Sequence, residues 1–127
     1  MKVNEEMLNK IIRHYRDDES DMEMITRALE CFEEYHRAIY RLEITRRLHS
    51  CGAIESDRYR SETVERDRSR TLKHNAVIAQ VNYLNRLAEE AGLPLFYEGI
   101  VSEERPYRRE VAAAVLEFVE ETIRNRA

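Results

Sequence analysis

The sequence contains very few of the residues that interrupt regular structure, with three glycines and two prolines among 127 residues. All five lie at Gly52 or between Gly92 and Pro106, so residues 1–51 and 53–91 contain no breaker. Apolar residues in these two stretches recur every three or four positions, which is the spacing of amphipathic α-helices. The sequence therefore predicts an all-α fold with long helices.

Other absences exclude several classes of protein. No apolar run approaches the roughly 18 residues that a transmembrane helix needs. The polar N-terminus does not resemble a signal peptide, so we expect a cytoplasmic protein without membrane contact. The two cysteines, Cys31 and Cys51, fit neither a disulfide framework nor a zinc site. Glycine-rich phosphate loops and nucleophile motifs are missing, so the sequence leans against an enzyme and implies no cofactor.

What the sequence does contain is a large amount of mixed charge. Charged residues make up 36% and hydrophobic residues 43% of the chain, and the formal net charge is −4. Narrow apolar stripes between solvated charged faces are typical of helical bundles. We therefore expect a single domain spanning residues 1–127, built as a bundle of about four mostly antiparallel helices.

The second helix is the clearest in the sequence. Its apolar residues alternate in steps of three and four from Met22 to Leu42, and we expect helix over residues 21–50. Ser20 and Glu23 match a capping box at its start, and Gly52 is a natural left-handed stop at its end. At the helical rise of about 1.5 Å per residue it is about 45 Å long. We expect one chain to leave part of this apolar stripe uncovered.

The third helix is unusual because its two halves differ. Residues 55–73 are dense in alternating charge and form either a protruding polar helix, which we favour, or a mobile connector. Beyond Leu72 a broad apolar face runs to Gly92. Residues 92–105 form an apolar loop that we expect to cap one end of the bundle, and Pro106 fits the first turn of the last helix.

One pair of residues has a spacing that metal sites use. Glu33 and His36 lie three apart and share a helix face, as in the di-iron carboxylate bundles. Those bundles use two such pairs, and this sequence has one. We interpret Glu33 as a surface salt-bridge partner and His36 as a boundary histidine, and rank a helical carboxylate metalloprotein third among the candidate functions.

Residues 66–80 carry the features closest to nucleic-acid binding. Arg66, Arg70 and Lys73 recur along one helical face, and a turn precedes this helix. Acidic residues interleave with these cations, and the chain is acidic overall. A nucleic-acid-binding regulator is therefore the alternative function rather than the expected one.

Two further groups are candidate contacts to a partner or ligand. Asn75, Asn82 and Asn85 are either a polar boundary on the third helix, which we favour, or a contact that fixes register against a partner helix. Near the start of the last helix three arginines either bind an anion or carboxylate, or are neutralised by local glutamates, which we favour. These arginines are Arg105, Arg108 and Arg109.

The stretch from residue 74 to residue 109, HNAVIAQVNYLNRLAEEAGLPLFYEGIVSEERPYRR, resembles a small bacterial family of uncharacterised α-helical domains. The stretch covers about a third of the chain and carries no catalytic motif. The resemblance implies a cytoplasmic bacterial protein and assigns no activity or binding residue.

We therefore predict a non-enzymatic interaction or regulatory module that forms homo-oligomers, with the homodimer as the simplest form. The uncovered stripe expected on the second helix carries this prediction, because exposed apolar stripes usually mark an interface. Tyr59, Val64 and Leu72 are the residues that we expect a second chain to pack against that stripe. Another protein partner would fit the same surface.

Overall fold

The computed structural model describes residue 3, residues 5–98 and residues 105–126. Within these ranges the chain is an all-α bundle, as the sequence predicts. Its four helices are α1 (Glu5–Tyr15), α2 (Glu19–Ser50), α3 (Ser56–Glu90) and α4 (Arg105–Arg126). The second and third are the longest, and residues 56–73 are regular helix within α3. Across this described part, no helix combines the length and the apolar character needed to cross a bilayer.

Local hydrogen bonds and backbone geometry fix the two ends of α2. Asp18 is the N-cap, and its carboxylate accepts a hydrogen bond from the backbone N–H of Asp21 at 3.0 Å. The predicted capping box of Ser20 and Glu23 is therefore wrong, because Ser20 already lies inside the first turn of the helix. At the other end, Gly52 has a φ of 78°, the left-handed conformation predicted for the helix stop.

Helices α2 and α3 form an antiparallel hairpin joined by residues 51–55. The cross-helix pairs show this orientation, because the earlier α2 residue contacts the later α3 residue. Asp21 pairs with Tyr83, and Glu34 pairs with Lys73. Helices α1 and α4 each contact both members of this hairpin. One buried cluster takes side chains from all four helices, namely Leu8, Ile11, Ile25, Ala28, Phe32, Tyr35, Val77, Ile78, Val81, Leu84, Leu87, Ala88, Val111, Ala112, Val115, Phe118 and Val119.

The apolar loop that follows α3 caps this core over its described part, as predicted. Phe96 and Tyr97 are both buried. The Phe96 ring lies between two other aromatic rings, 6.0 Å from the centroid of Phe32 and 5.8 Å from that of Phe118. The loop therefore adds aromatic side chains to the core. The remainder of the predicted loop, residues 99–104, lies outside the described residues.

The hairpin extends beyond the common core. The core cluster reaches Tyr35 on α2 and resumes at Val77 on α3. Between these two points lies a stretch of hairpin, residues 38–73, which we call the arm. From residue 38 to residue 50 it extends roughly 20 Å at the helical rise of about 1.5 Å per residue.

Within one chain, the α2 part and the α3 part of the arm pack against each other. Leu42 is buried, and the ring of His49 stacks on that of Tyr59 with 4.0 Å between centroids. The expectation that one chain leaves part of the apolar stripe from Met22 to Leu42 uncovered is therefore wrong. The other helices of the same chain cover the stripe. Ile25, Phe32, Tyr35 and Leu42 are buried, and Met22, Leu29 and Ile39 are half-buried.

Candidate functional site

Three helices meet at a pocket at the base of the arm. The pocket is lined by one residue of α2, three of α3 and four of α4, namely Tyr35, Arg70, Thr71, His74, Arg109, Ala112, Ala113 and Leu116. Its volume is about 460 Å³, which is in the range of small-molecule sites. We call these eight residues the cationic pocket, because two arginines and a histidine supply its polar side.

Tyr35 and His74 form the aromatic wall of the cationic pocket. Their ring centroids are 5.9 Å apart and the rings meet edge to face at 72°. Burial raises the pKa of the Tyr35 hydroxyl, and the neighbouring Arg70 guanidinium opposes that rise. Tyr35 therefore keeps its proton at neutral pH and presents a neutral hydroxyl rather than a negative charge.

The two arginines of the pocket differ in how they are held. Arg70 donates from Nε and Nη2 to Oδ1 of Asp67, at 3.1 and 3.0 Å, which fixes the guanidinium against α3. Arg109 is exposed and forms no ion pair within residues 5–98 and 109–126. The pocket thus brings together Arg70, from the cationic face of residues 66–80, and Arg109, from the arginine group near the start of the last helix. The side chains of Arg105 and Arg108 lie outside the described residues.

The other cations of the predicted nucleic-acid face lie elsewhere. Lys73 donates to the Glu34 carboxylate at 2.6 Å and lines a separate groove with Arg41 and Ser69. Arg66 is exposed on the arm. The cationic pocket therefore takes only Arg70 from this set.

The three asparagines have different surroundings. Asn75 and Asn82 are exposed on α3. Asn85 is partly buried and hydrogen-bonds the backbone of Tyr97, in the loop of the same chain. For Asn75 and Asn82 both interpretations, polar boundary and partner contact, stay predictions, whereas Asn85 positions the loop.

Glu33 and His36, the two residues with metal-like spacing, both contact residues of α4. A carboxylate oxygen of Glu33 lies 3.7 Å from Arg126, and Nε2 of His36 lies 4.0 Å from a Glu120 oxygen. Among the residues that the structure describes, no three His, Cys, Asp or Glu side chains converge as metal ligands. These contacts match the salt-bridge and boundary roles.

A second surface lies on the side of α2 that faces solvent. Tyr40, Ile44 and Leu48 follow one another at four-residue spacing and are 56%, 36% and 38% exposed. The same side carries exposed polar residues along the rest of the helix, namely Glu23, Thr26, Glu30, Arg37 and Arg41. We call these eight residues the outward face of α2. The three apolar members were not predicted from the sequence, although their four-residue spacing beside the main stripe is a recognisable pattern.

Charge is divided along α2. Residues 19–34 contain six acidic residues and one arginine, a net charge of −5. Residues 35–50 contain four arginines and one glutamate, a net charge of +3 with histidine neutral. In residues 56–73 of α3, by contrast, acids and bases alternate. One helix thus presents a negative half and a positive half.

The family model described as "Protein of unknown function (DUF3232)" matches residues 2–126. This match extends the resemblance of residues 74–109 to nearly the whole chain. No curated protein and no solved structure matches the chain. The family description assigns no activity, so a function has to be argued from the geometry.

Proposed function

The chain belongs to the DUF3232 family of proteins of unknown function, and we propose that it is a non-enzymatic interaction or regulatory module that forms a homodimer through the outward face of α2. The observation that supports a homodimer is that one helix combines an exposed apolar stripe with two halves of opposite charge. If a second copy pairs antiparallel, each half meets its opposite charge, and the apolar stripe, which lies in the positive half, is covered by the negative half of the other copy.

The outward face of α2 carries a row of solvent-exposed apolar side chains. Tyr40, Ile44 and Leu48 lie on the side of α2 away from α3, while Leu42 on the other side is buried against the hairpin. Single exposed apolar residues are normal on any protein, but three in one row form a continuous stripe. An aromatic residue such as Tyr40 is also typical of an interface centre.

The charges select the orientation of the two chains. If two α2 helices pair antiparallel, the acidic half of each lies against the basic half of the other. Parallel pairing would instead place like charges together, which is unfavourable. An antiparallel pair related by a two-fold axis uses the same surface on both chains, as the commonest homodimers do.

The first test is the mass in solution. We expect sedimentation equilibrium at micromolar concentration to give about twice the chain mass of 15.2 kDa. Tyr40→Ser with Ile44→Ser should shift the protein to monomer. The matched control is Leu72→Ser, because Leu72 is 65% exposed but lies on α3. A dimer that survives the double change and dissociates with Leu72→Ser would place the interface on α3.

The second test concerns the orientation. Arg37→Glu with Arg41→Glu should weaken the dimer by about tenfold or more, because acidic residues of the two outward faces then meet each other. Adding Glu23→Arg and Glu30→Arg to the same chain should restore it, since the outward face then has two arginines in one half and two glutamates in the other. The absence of this restoration would show that charge does not orient the pair.

A further inference from the structure

We propose that the cationic pocket binds a small organic carboxylate whose remaining body is apolar. The pocket has a charged side and an apolar side, and such a ligand matches both. The proposal concerns the junction of α2, α3 and α4, and none of the eight residues of the pocket belongs to the outward face of α2. It therefore stands independently of the homodimer.

The charged side is suited to a carboxylate. A guanidinium has five N–H donors in a planar fork, and Arg70 uses two of its nitrogens to hold a single oxygen of Asp67. Nη2 also donates to the Thr71 hydroxyl at 3.4 Å and the guanidinium hydrogen-bonds Tyr35, so these contacts fix its orientation among the residues of the pocket. Arg109 adds a second guanidinium from α4, with no carboxylate partner in the described residues. Two arginines from different helices can hold the two oxygens of one carboxylate.

The apolar side comes from α4. Ala112, Ala113 and Leu116 line the pocket from one helix, and the short side chains of the two alanines leave space beside it. The Tyr35 and His74 rings close it from α2 and α3. A fully hydrated anion such as phosphate would leave this side unused, whereas an aromatic or aliphatic carboxylate would cover it. Burial of that apolar body adds to the affinity that the arginines provide.

Benzoate is a suitable probe, because it combines a carboxylate with a compact apolar ring. We expect a ¹⁵N-NMR titration at constant ionic strength to give saturable shifts at the backbone amides of Arg70, Thr71 and Ala113. Benzyl alcohol, which has the same ring without the charge, should cause no saturable shift there. Inorganic phosphate should bind more weakly than benzoate.

Three variants test the assignment of residues. Arg109→Gln should weaken benzoate binding by about tenfold, the effect of losing one charge-assisted contact. Arg124→Gln on the same helix is the matched control, because Arg124 is exposed and is not part of the pocket. Ala113→Leu should abolish binding by filling the space without altering any charge. Ala113 is exposed, so this change should leave the helical circular dichroism intact.

Three results would overturn the proposal. The first is the absence of saturable shifts at benzoate concentrations of tens of millimolar. The second is binding that both Arg109→Gln and Ala113→Leu leave unchanged, which would place benzoate elsewhere. The third is phosphate binding as tight as benzoate binding, which would show a plain anion site. The mass of the homodimer should be the same with and without benzoate, so either proposal can fail alone.

Discussion

The side chain of Asn85 binds both backbone polar groups of Tyr97. Its amide nitrogen donates to the Tyr97 carbonyl at 3.3 Å, and its oxygen accepts from the Tyr97 N–H at 3.0 Å. Tyr97 also forms an antiparallel bridge with Val3. The side chain of one helical asparagine thus supplies hydrogen-bond partners to the backbone N–H and C=O of a buried loop residue, and buried backbone groups need such partners.

The first prediction follows from this pair. Asn85→Ala would leave both backbone groups of Tyr97 without this partner, so we expect a loss of about 1–3 kcal/mol in the free energy of unfolding. Urea denaturation measures it. Asn82→Ala is the control, because Asn82 is exposed, and it should change stability by less than about 0.5 kcal/mol. Equal effects of the two changes would mean that Asn85 contributes only as a helical residue.

The helices were readable from the sequence because their signals are local. Breakers, three-and-four spacing and the left-handed stop at Gly52 all act within a few residues. The start of α2 was misplaced because Asp18 and Ser20 are both good N-cap residues. Which of them caps depends on the hydrogen bond that Asp18 makes with the Asp21 N–H, and composition does not decide this.

The sites were less predictable because they depend on how helices meet. Spacing places Arg70 on a helix face, and the sequence places Arg109 in the last helix. Only the packing of α4 on the hairpin brings the two into one pocket. The same holds for Asn85, for which the sequence favours a polar boundary over a partner helix and whose partner is a loop in the same chain. Contacts between segments that are far apart in the sequence produce no local spacing pattern from which they could be predicted.

The second prediction concerns the aromatic core. Phe96 is fully buried and its ring lies nearly parallel to Phe32 and edge-on to Phe118. Phe96→Ala removes these contacts and leaves a cavity, so we expect a loss of about 3–5 kcal/mol in unfolding free energy. Val64→Ala, at a position that is 62% exposed, is the control and should be nearly neutral. A loss below about 1 kcal/mol for Phe96→Ala would mean that the loop does not belong to the core.

The third prediction concerns the reactivity of the two thiols. Burial raises the pKa of the Cys31 thiol, and the nearby Glu34 carboxylate raises it further, while Lys73 opposes the shift. The thiolate is the reactive form, so Cys31 should react slowly with a disulfide reagent. Cys51 is exposed at the end of α2 and should react at least tenfold faster. Cys51→Ser should remove the fast phase, and a fast phase that persists would assign it to Cys31.

The last prediction concerns the ion pair between Glu34 and Lys73, which links α2 to α3. Lys73 donates to Glu34 at 2.6 Å, and this hydrogen bond is the main cause that lowers the pKa of the Glu34 carboxyl. A carboxyl with a lowered pKa in the folded state stabilises the fold above its unfolded pKa of about 4.3. That contribution is lost as the pH falls through the lowered value.

Lys73→Met should therefore raise the pKa of Glu34 in a ¹³C-NMR titration and destabilise the fold at neutral pH. Both side chains are more than a third exposed, at 39% for Lys73 and 45% for Glu34, so solvent limits the loss to about 1 kcal/mol or less. The difference from the wild type should shrink as the pH falls through the lowered pKa of Glu34, because Glu34 is then protonated in both proteins. Lys10→Met is the matched control, since Lys10 lies 3.9 Å from Glu6 within α1 and does not contact Glu34. A difference that stays constant down to pH 3 would show that Lys73 acts through packing rather than charge.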